Sequence, residues 1–392
     1  MLNTSVAPWP SFTEEEQQAV ARVIGSNRVN YWTGDESRAF EREYAEWCGT
    51  GKAVALMNGT VALDVALHAL GVRPGDEIVV TPRTFIASVS SVINAGAVPV
   101  FADVDPDSGN ITPESVEAVM TERTRGIIPV HLAGWPCDMH GFRRLADGAD
   151  LFVIEDCAQA HGAKVGNRSV GTLSEIGAWS FCQDKIITTG GEGGMVTTDD
   201  EDLWAAMWSY KDHGKSWEAV YEREHAPGYR WVHESFGTNW RMLEVQAVLG
   251  RIQLRRLAEW TEQRTANARA LIETLRRFPG AVRVPEPGEG FTHAYYRLYG
   301  YVRAQGLRSG WDRDRIVQEL NGIGVPAYQG SCSEVYLEKA FDGTDLRPPE
   351  RLPVARELGE TSLMFLVHPT LSGEDIERMR AGIERIFSEA AA

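Results

Sequence analysis

Lys185 has the residue type and the surroundings that covalent chemistry on a carbonyl compound requires. It lies in a polar break between the apolar run 177–181 and the glycine-rich turn 190–194. A lysine at a strand end, beside flexible backbone, can be desolvated, lose its proton and attack an aldehyde. Because a lone lysine is more often a surface charge, this interpretation depends on the groups around it.

A carboxylate upstream has the position of a ligand-binding group. Asp156 ends the apolar run in the segment LFVIEDCAQAHGA, and open α/β sheets bind their ligands at the carboxyl ends of the strands. A buried carboxylate needs a partner, and a protonated pyridine nitrogen would be one. An aspartate that caps the next turn is the alternative interpretation.

The tripeptide Asn58-Gly59-Thr60 follows the apolar run 53–57 and opens a helical pattern. Its free backbone N–H groups, its hydroxyl and the positive end of the helix dipole together suit a phosphate. An ordinary helix cap with a turn glycine has the same sequence, so the tripeptide alone does not decide between the two.

Seven short apolar runs would position these groups. They alternate with helical patterns, and several are apolar at nearly every position, as strands covered on both faces are. The runs are 53–57, 77–80, 98–104, 126–132, 151–155, 177–181 and 194–198. The sequence therefore predicts an α/β fold with a mostly parallel seven-stranded sheet covered by helices on both faces.

The pattern changes after about residue 245. Residues 246–278 predict one long helix, followed by a strand at 293–302 and helices at 313–323 and 373–388. We therefore predict a large α/β domain at residues 1–250 and a smaller C-terminal α+β domain at 251–392. Residues 1–25 are expected to form an N-terminal arm near the small domain.

Composition excludes several classes of partner. The formal net charge of -16 repels phosphate backbones and acidic membranes, and no apolar run is long enough to span a bilayer. The five cysteines are scattered singly, without the spacing of a metal site or a disulfide framework. We expect a cytoplasmic protein without a metal, a nucleic-acid partner or a membrane partner.

Six motifs in a fixed order carry a resemblance to a known family. They are N-G-T (58–60), T-F-I-A-S (84–88), E-D-C-A-Q-A-H-G (155–162), S-F-C-Q-D-K (180–185), G-G-E-G-G-M (190–195) and G-T-N-W-R-M-L-E-V-Q-A (237–247). Together they resemble the DegT/StrS-type sugar aminotransferases, which belong to the fold-type I superfamily of pyridoxal 5'-phosphate (PLP) enzymes. The resemblance covers nearly the whole chain.

The resemblance implies that Lys185 carries PLP as a Schiff base and that Asp156 pairs with the pyridine nitrogen. It assigns further contacts to Gln159 (the phenolic oxygen), Phe85 (the ring face), Gly59, Thr60 and Ser180 (the phosphate), and Asn239 (the phosphate of the neighbouring subunit's cofactor). The last contact implies a homodimer with shared active sites. The C-Q-D tripeptide before Lys185 and the segment 327–341 depart from the family pattern.

The implied reaction is a ping-pong transfer of an amino group, from a donor such as glutamate, onto a keto group of a nucleotide-linked deoxysugar. Candidate substrate contacts are Tyr31, Trp32, Arg83, Arg241 and Tyr328, with Lys211 and Lys215 as further cations. An aminocyclitol or another cyclic ketone is an alternative acceptor, and a non-catalytic regulatory protein of the PLP fold is an alternative function. A nicotinamide-dependent oxidoreductase is disfavoured, because no G-x-G-x-x-G follows the first strand of a βαβ unit.

Overall fold

The computed structural model of the chain describes residues 6–224 and 230–392. Its strands are β1 (Lys52–Leu56), β2 (Glu77–Val80), β3 (Val98–Phe101), β4 (Thr124–Ile128), β5 (Phe152–Asp156), β6 (Lys164–Val165), β7 (Arg168–Ser169), β8 (Ile176–Ser180), β9 (Gly194–Thr198), β10 (Val282–Arg283), β11 (Phe291–Thr292), β12 (Leu298–Val302), β13 (Ala327–Tyr328) and β14 (Ser362–Phe365). Its α-helices are α1 (Glu14–Gly25), α2 (Glu36–Cys48), α3 (Gly59–Ala69), α4 (Ala87–Asn94), α5 (Pro113–Glu117), α6 (Met139–Ala149), α7 (Glu201–Tyr210), α8 (Trp217–Tyr221), α9 (Glu244–Leu275), α10 (Arg313–Gly322), α11 (Pro353–Thr361) and α12 (Gly373–Ala390).

The central sheet has the strand order β1-β9-β8-β5-β4-β2-β3. The pairs among β8, β5, β4, β2 and β3 are parallel, whereas β9 pairs antiparallel with both β8 and β1. The predicted, mostly parallel sheet of seven strands is therefore confirmed. The predicted run 126–132 was too long: β4 ends at Ile128, because Pro129 has no N–H to donate to a ladder.

Successive residues of the central strands enter two different cores. Ala55, Val79 and Ile127 belong to one buried cluster, and their neighbours Val80 and Ile128 belong to another. Because side chains alternate across a strand, the two clusters lie on opposite faces of the sheet. This arrangement confirms that both faces are covered.

The smaller C-terminal domain is built on a four-stranded antiparallel sheet with the order β10-β12-β14-β13. Helix α9 belongs to both parts: Leu254 and Leu257 lie in a core of the central sheet, whereas Leu271 and Leu275 lie in the core of the C-terminal domain. The predicted boundary between residues 250 and 251 falls inside this continuous helix and stays a prediction.

The N-terminal segment contacts the C-terminal domain. Val6 lies in that domain's core, and the carbonyl oxygen of Pro8 accepts a hydrogen bond from Thr370 Oγ1 at 2.9 Å. Residues 1–5 of the predicted arm lie outside the described residues. None of the described helices combines the length and the hydropathy that a bilayer crossing requires.

The predicted strand 293–302 is interrupted in the structure. Only Leu298–Val302 forms β12, because the backbone before it bonds elsewhere: the amides of Ala294 and Tyr296 donate to the carbonyls of Gly134 and Ala133, each at 2.9 Å. This segment therefore contacts the turn that follows β4, at the edge of the central sheet where the candidate site lies.

Candidate active site

The residues that were predicted to carry the chemistry lie together at the carboxyl edge of the central sheet. Asp156 is the last residue of β5 and Ser180 is the last residue of β8, while the Asn58-Gly59 turn follows β1 and Lys185 follows β8. Since neighbouring parallel strands end at the same edge, residues that are far apart in sequence converge there.

Asp156 is a buried carboxylate, with 4% of its surface exposed. Its Oδ2 accepts a hydrogen bond from Ser88 Oγ at 2.8 Å, and its Oδ1 accepts one from the Ala158 amide at 3.1 Å. Burial raises the pKa of Asp156, although these two hydrogen bonds and the charge of Lys185 oppose the rise. The carboxylate is thus oriented by the protein and would be stabilised by a cationic ligand.

Ser88 is a site residue that sequence reasoning missed. Its hydroxyl also lies 2.8 Å from Thr84 Oγ1, so the T-F-I-A-S motif places one terminal hydroxyl on Asp156 and the other on Ser88. The motif itself was recognised, and its two hydroxyls, four residues apart at the start of a helix, were the available signal. Phe85, from the same motif, is 69% exposed.

The predicted phosphate turn depends on two glycines. A Cβ on Gly59 would lie 2.6 Å from the Cβ of Ser180, and a Cβ on Gly194 would overlap the carbonyl oxygen of Asn58. Asn58 caps α3 by accepting the Val61 amide at 3.0 Å. The turn therefore packs directly on β8 and β9 with its backbone N–H groups at the start of a helix, which is the geometry of an anion site.

Gly59→Ala should weaken cofactor binding about tenfold or more, because the added Cβ displaces the turn from Ser180. The measurement is a titration of the unloaded protein with pyridoxamine 5'-phosphate, whose affinity reports the phosphate cradle without a covalent bond. Gly148→Ala, in α6, is the matched control, since a Cβ there meets no atom within 4 Å. Unchanged affinity in a folded Gly59→Ala protein would contradict the assignment.

The turn that carries Lys185 is held from two sides. The Lys185 amide donates to the Cys182 carbonyl at 3.1 Å, and Trp9 Nε1 donates to the Lys185 carbonyl at 2.9 Å. Nζ of Lys185 lies 5.0 Å from the ring centroid of Tyr296. Burial lowers the pKa of Lys185, but Tyr296 and the carboxylates of Asp184 and Asp156 outweigh this effect and raise the pKa above its usual value.

Gln159 is buried, and one end of its amide is already engaged. Its Oε1 accepts a hydrogen bond from the Ala133 amide at 2.8 Å. This bond orients the side chain, so that Nε2 is the end available to donate to a ligand. Ala133 has a positive φ of 57° and also accepts the amide of Tyr296, so Gln159 is linked to the segment that precedes β12.

Two of the predicted substrate-side cations pair with one buried carboxylate. Nη1 of Arg241 and Nζ of Lys215 lie 2.6 Å and 3.0 Å from Oδ1 of Asp212. Lys211 is completely buried, which lowers its pKa to about 8. These contacts hold the segment 211–215 against residues 239–241 and so fix the position of the exposed Asn239.

Two other predicted substrate contacts lie in the protein interior. Arg83 is completely buried, and its Nη1 donates to Ser333 Oγ at 2.7 Å, so it anchors the segment 327–341. Tyr31 is buried as well, and its hydroxyl accepts a hydrogen bond from Trp208 Nε1 at 3.0 Å. The structure does not bring either side chain to the open edge, whereas Trp32 and Tyr328 are half-buried.

A cluster of buried ligand-type side chains lies beside the site. Ligand atoms of His131, Glu155 and Cys157 lie within 4.8 Å of one another. Glu155 accepts the amides of Gly171 and Leu173, each at 2.8 Å, and its Oε2 lies 3.1 Å from His131 Nε2. We interpret the cluster as a hydrogen-bond network that fixes the carboxyl end of β5.

Comparison with known proteins identifies the family. The model of the DegT/DnrJ/EryC1/StrS aminotransferase family matches residues 10–384. The chain belongs to this family. Its membership confirms the resemblance carried by the six motifs, and it establishes that the protein is an aminotransferase.

The relatives agree along nearly their whole length. The chain is 34% identical to the GDP-perosamine synthase of Caulobacter vibrioides, over 89% of each chain. It is 34% identical to the dTDP-3-amino-3,4,6-trideoxy-alpha-D-glucose transaminase of Streptomyces venezuelae, over 97% of this chain and 95% of that one. The crystal structure of an aminotransferase from Psychrobacter cryohalolentis superposes with a TM-score of 0.97 at 62% identity, covering 98% of this chain and 99% of the other.

Proposed function

We propose that this aminotransferase uses PLP to move an amino group from an amino acid such as glutamate onto the keto carbon of a nucleotide-linked deoxysugar. The observation that carries the proposal is the convergence of Lys185, the buried Asp156 and the Gly59 turn at one sheet edge. Two relatives named for reactions on GDP- and dTDP-linked sugars support the substrate class.

The described residues fit PLP. A Cβ would fill the cradle at Gly59, and the buried Asp156 carboxylate, held by Ser88 and the Ala158 amide, would be stabilised by a protonated ring nitrogen. When bound, the cofactor supplies an electron sink for the negative charge that develops on carbon. Gln159 Nε2 would donate to the phenolic oxygen, and the exposed ring of Phe85 would cover the ring face.

Lys185 would have two roles. Its Nζ would hold the cofactor covalently between turnovers, and it would then accept the proton from the donor's α-carbon and return it at the neighbouring position. Together with Asp156, this side chain favours an enzyme over a non-catalytic regulatory protein of the same fold, because a regulatory protein would need neither a base nor a charge partner for the ring.

The acceptor can be identified from the second half-reaction alone. The enzyme is converted to the pyridoxamine form with glutamate, freed of donor, and incubated with UDP-, dTDP- and GDP-linked keto sugars and with a cyclic ketone that carries no nucleotide. Return of the visible absorbance band with a nucleotide sugar supports the proposal. Return with the cyclic ketone alone would reassign the substrate, and a protein that never becomes coloured with PLP would refute the proposed use of the cofactor.

We further propose that two copies of the chain share each site. Apolar side chains around Asn239 are exposed to an unusual degree: Trp231 is 89% exposed, Phe236 is 99% exposed, and Leu243 is also exposed. A folded protein seldom leaves large aromatic rings in water unless they are covered by a partner. A second copy seated on this surface would bring Asn239 to the neighbouring cofactor's phosphate.

Complementation between two inactive variants tests the shared site. Asn239→Asp would repel the phosphate across the interface, and Lys185→Ala removes the base in the variant's own site. Mixing the two variants under conditions of subunit exchange should restore up to about a quarter of wild-type activity, because half of the dimers are mixed and each mixed dimer has one intact site. If both residues acted within one chain, mixed dimers would each retain two impaired sites and the mixture would stay inactive.

A further inference from the structure

Asp184, the residue before Lys185, is fixed by two side chains from the segment that precedes β12. Its Oδ2 accepts hydrogen bonds from the Tyr296 hydroxyl at 2.7 Å and from Arg297 Nη2 at 2.8 Å. Charge-assisted bonds of this kind are stronger and more directional than neutral ones. Asp184 belongs to the C-Q-D tripeptide, where this chain departs from its family's pattern.

The same two side chains surround Lys185. The Tyr296 ring lies 5.0 Å from Lys185 Nζ and 4.1 Å from the guanidinium carbon of Arg297, so both cations pack on one ring. Arg297 is mostly buried, and its Nη1 also donates to the Tyr296 carbonyl at 3.0 Å. The ring is therefore held in place while it contacts the amine.

Residues 296–297 are also linked by hydrogen bonds to Gln159, the predicted partner of the cofactor's phenolic oxygen. The Tyr296 amide donates to the Ala133 carbonyl, and the Ala133 amide donates to Gln159 Oε1. Asp184 thus closes a chain of hydrogen bonds that runs from the Lys185 turn, through residues 296–297 and Ala133, to Gln159. Movement of the Lys185 turn would have to break a charge-assisted pair.

We propose that Asp184 is a positioning residue, which together with Tyr296 and Arg297 fixes the Lys185 turn and balances the charge around its amine. This inference rests on the proposed use of PLP. The Asp184 carboxylate holds the turn and favours the protonated form of the Lys185 amine, whereas the Arg297 guanidinium, which pairs with that carboxylate, limits this effect. The two side chains therefore have opposite electrostatic effects on one amine.

Several other groups act on the same amine and remain unchanged in the test. Lys185 and its immediate neighbours face five other titratable groups. These are Asp156, Tyr296, Cys182, Arg264 and His161. The pKa of Asp184 is lowered: burial raises it, but Arg297 and Lys185 lower it more, so the group is ionised at neutral pH.

The test measures the rate at which unloaded protein binds PLP covalently, as a function of pH. The Lys185 amine adds to the aldehyde carbon, water leaves, and borohydride then adds hydride to the carbon of the C=N bond, giving a stable product counted by intact mass. Asp184→Ala should lower the rate of covalent PLP binding at high pH, the plateau rate, about tenfold, because the Lys185 turn is no longer held. It should also move the pH dependence of this rate, the pH profile, to lower pH by about half a unit, because the charge of Arg297 is left uncompensated. Arg297→Met should move the profile to higher pH.

Two further variants separate a positioning role of Asp184 from a nonspecific disturbance of the local structure. Asp184→Asn keeps an acceptor for Tyr296 but loses the charge, so it should keep the plateau rate within about threefold and still shift the profile to lower pH. Gln183→Ala, at the exposed neighbouring position, should leave both the rate and the profile unchanged. Affinity for pyridoxamine 5'-phosphate, which needs no lysine, should be the same in all four variants.

A plateau rate in Asp184→Ala within twofold of wild type would overturn the proposal, and so would profile shifts in the same direction for Asp184→Ala and Arg297→Met. These outcomes differ from failure of the proposed function, in which the wild-type protein itself would incorporate no PLP.

Discussion

Lys185→Ala should lower the rate of amino transfer by about 10⁴-fold and abolish covalent attachment of the cofactor. The physical reason is that the Lys185 amine lies at the carboxyl edge and interacts with Asp156, so its loss removes both the group that forms the covalent bond and the group that accepts the proton. Single-turnover reaction with glutamate gives the rate, and intact mass after borohydride reduction gives the attachment.

The matched control is Lys164→Ala, which removes an exposed lysine from β6. It should retain both the rate and the mass increase. Lys185→Ala should still bind pyridoxamine 5'-phosphate, because the phosphate cradle is built from other residues. A Lys185→Ala protein that transfers amino groups at a rate near wild type would remove Lys185 from the mechanism.

Asp156→Asn should lower the same rate roughly 10³-fold while leaving the fold intact. An amide can replace the hydrogen bond from Ser88, but it carries no charge to keep a ring nitrogen protonated, so the electron sink is lost. Asp150→Asn is the control: Asp150 is exposed with a φ of 53°, a conformation that asparagine tolerates. A rate within tenfold of wild type for Asp156→Asn would contradict the pairing.

Asp156→Asn also has a consequence for the unloaded protein that does not depend on activity. Burial raises the pKa of Asp156 in the folded state, so the folded protein binds this proton more tightly than the unfolded chain does. That contribution to stability is present below the pKa of an unfolded aspartate, about 3.9, and is lost as pH rises through the folded pKa. The stability of Asp156→Asn relative to wild type should therefore increase with pH over this window and then level off, as measured by urea unfolding. A relative stability that falls with pH would contradict the raised pKa.

Local patterns were sufficient to predict the central sheet. Most residues of the seven strands are buried, and burial on both faces makes their apolar runs visible without knowledge of their neighbours. Lys185 and Asp156 were expected at one edge because parallel strands place their carboxyl ends there, a rule that holds whatever the sequence between them. Their roles toward PLP were implied by the family resemblance and stay predictions. The six ordered motifs added the family, which the comparison confirmed.

Tertiary contacts decided what residue type alone could not. Arg83 and Tyr31 were predicted to meet the substrate because of their chemistry, yet a guanidinium and a phenol can be buried when they find partners, here Ser333 and Trp208. The strand predicted at 293–302 is shortened because Ala294 and Tyr296 bond to the turn after β4 instead of to a ladder. Neither outcome leaves a local signal, because the partners lie at least 150 residues away in the chain.

The sequence by itself determined the α/β fold and placed Lys185 and Asp156 at strand ends on one edge, because both follow from apolar runs and the direction of parallel strands. Their roles toward the cofactor come from the family resemblance and stay predictions. Only the tertiary structure decided how Lys185 is held. Trp9 donates to its carbonyl, and Tyr296 and Arg297 fix the preceding Asp184, although these residues are separated from Lys185 by more than 100 positions. Such contacts form when the N-terminal segment and the C-terminal domain close over the sheet edge, and the packing of those parts is a property of the folded chain and not of any segment.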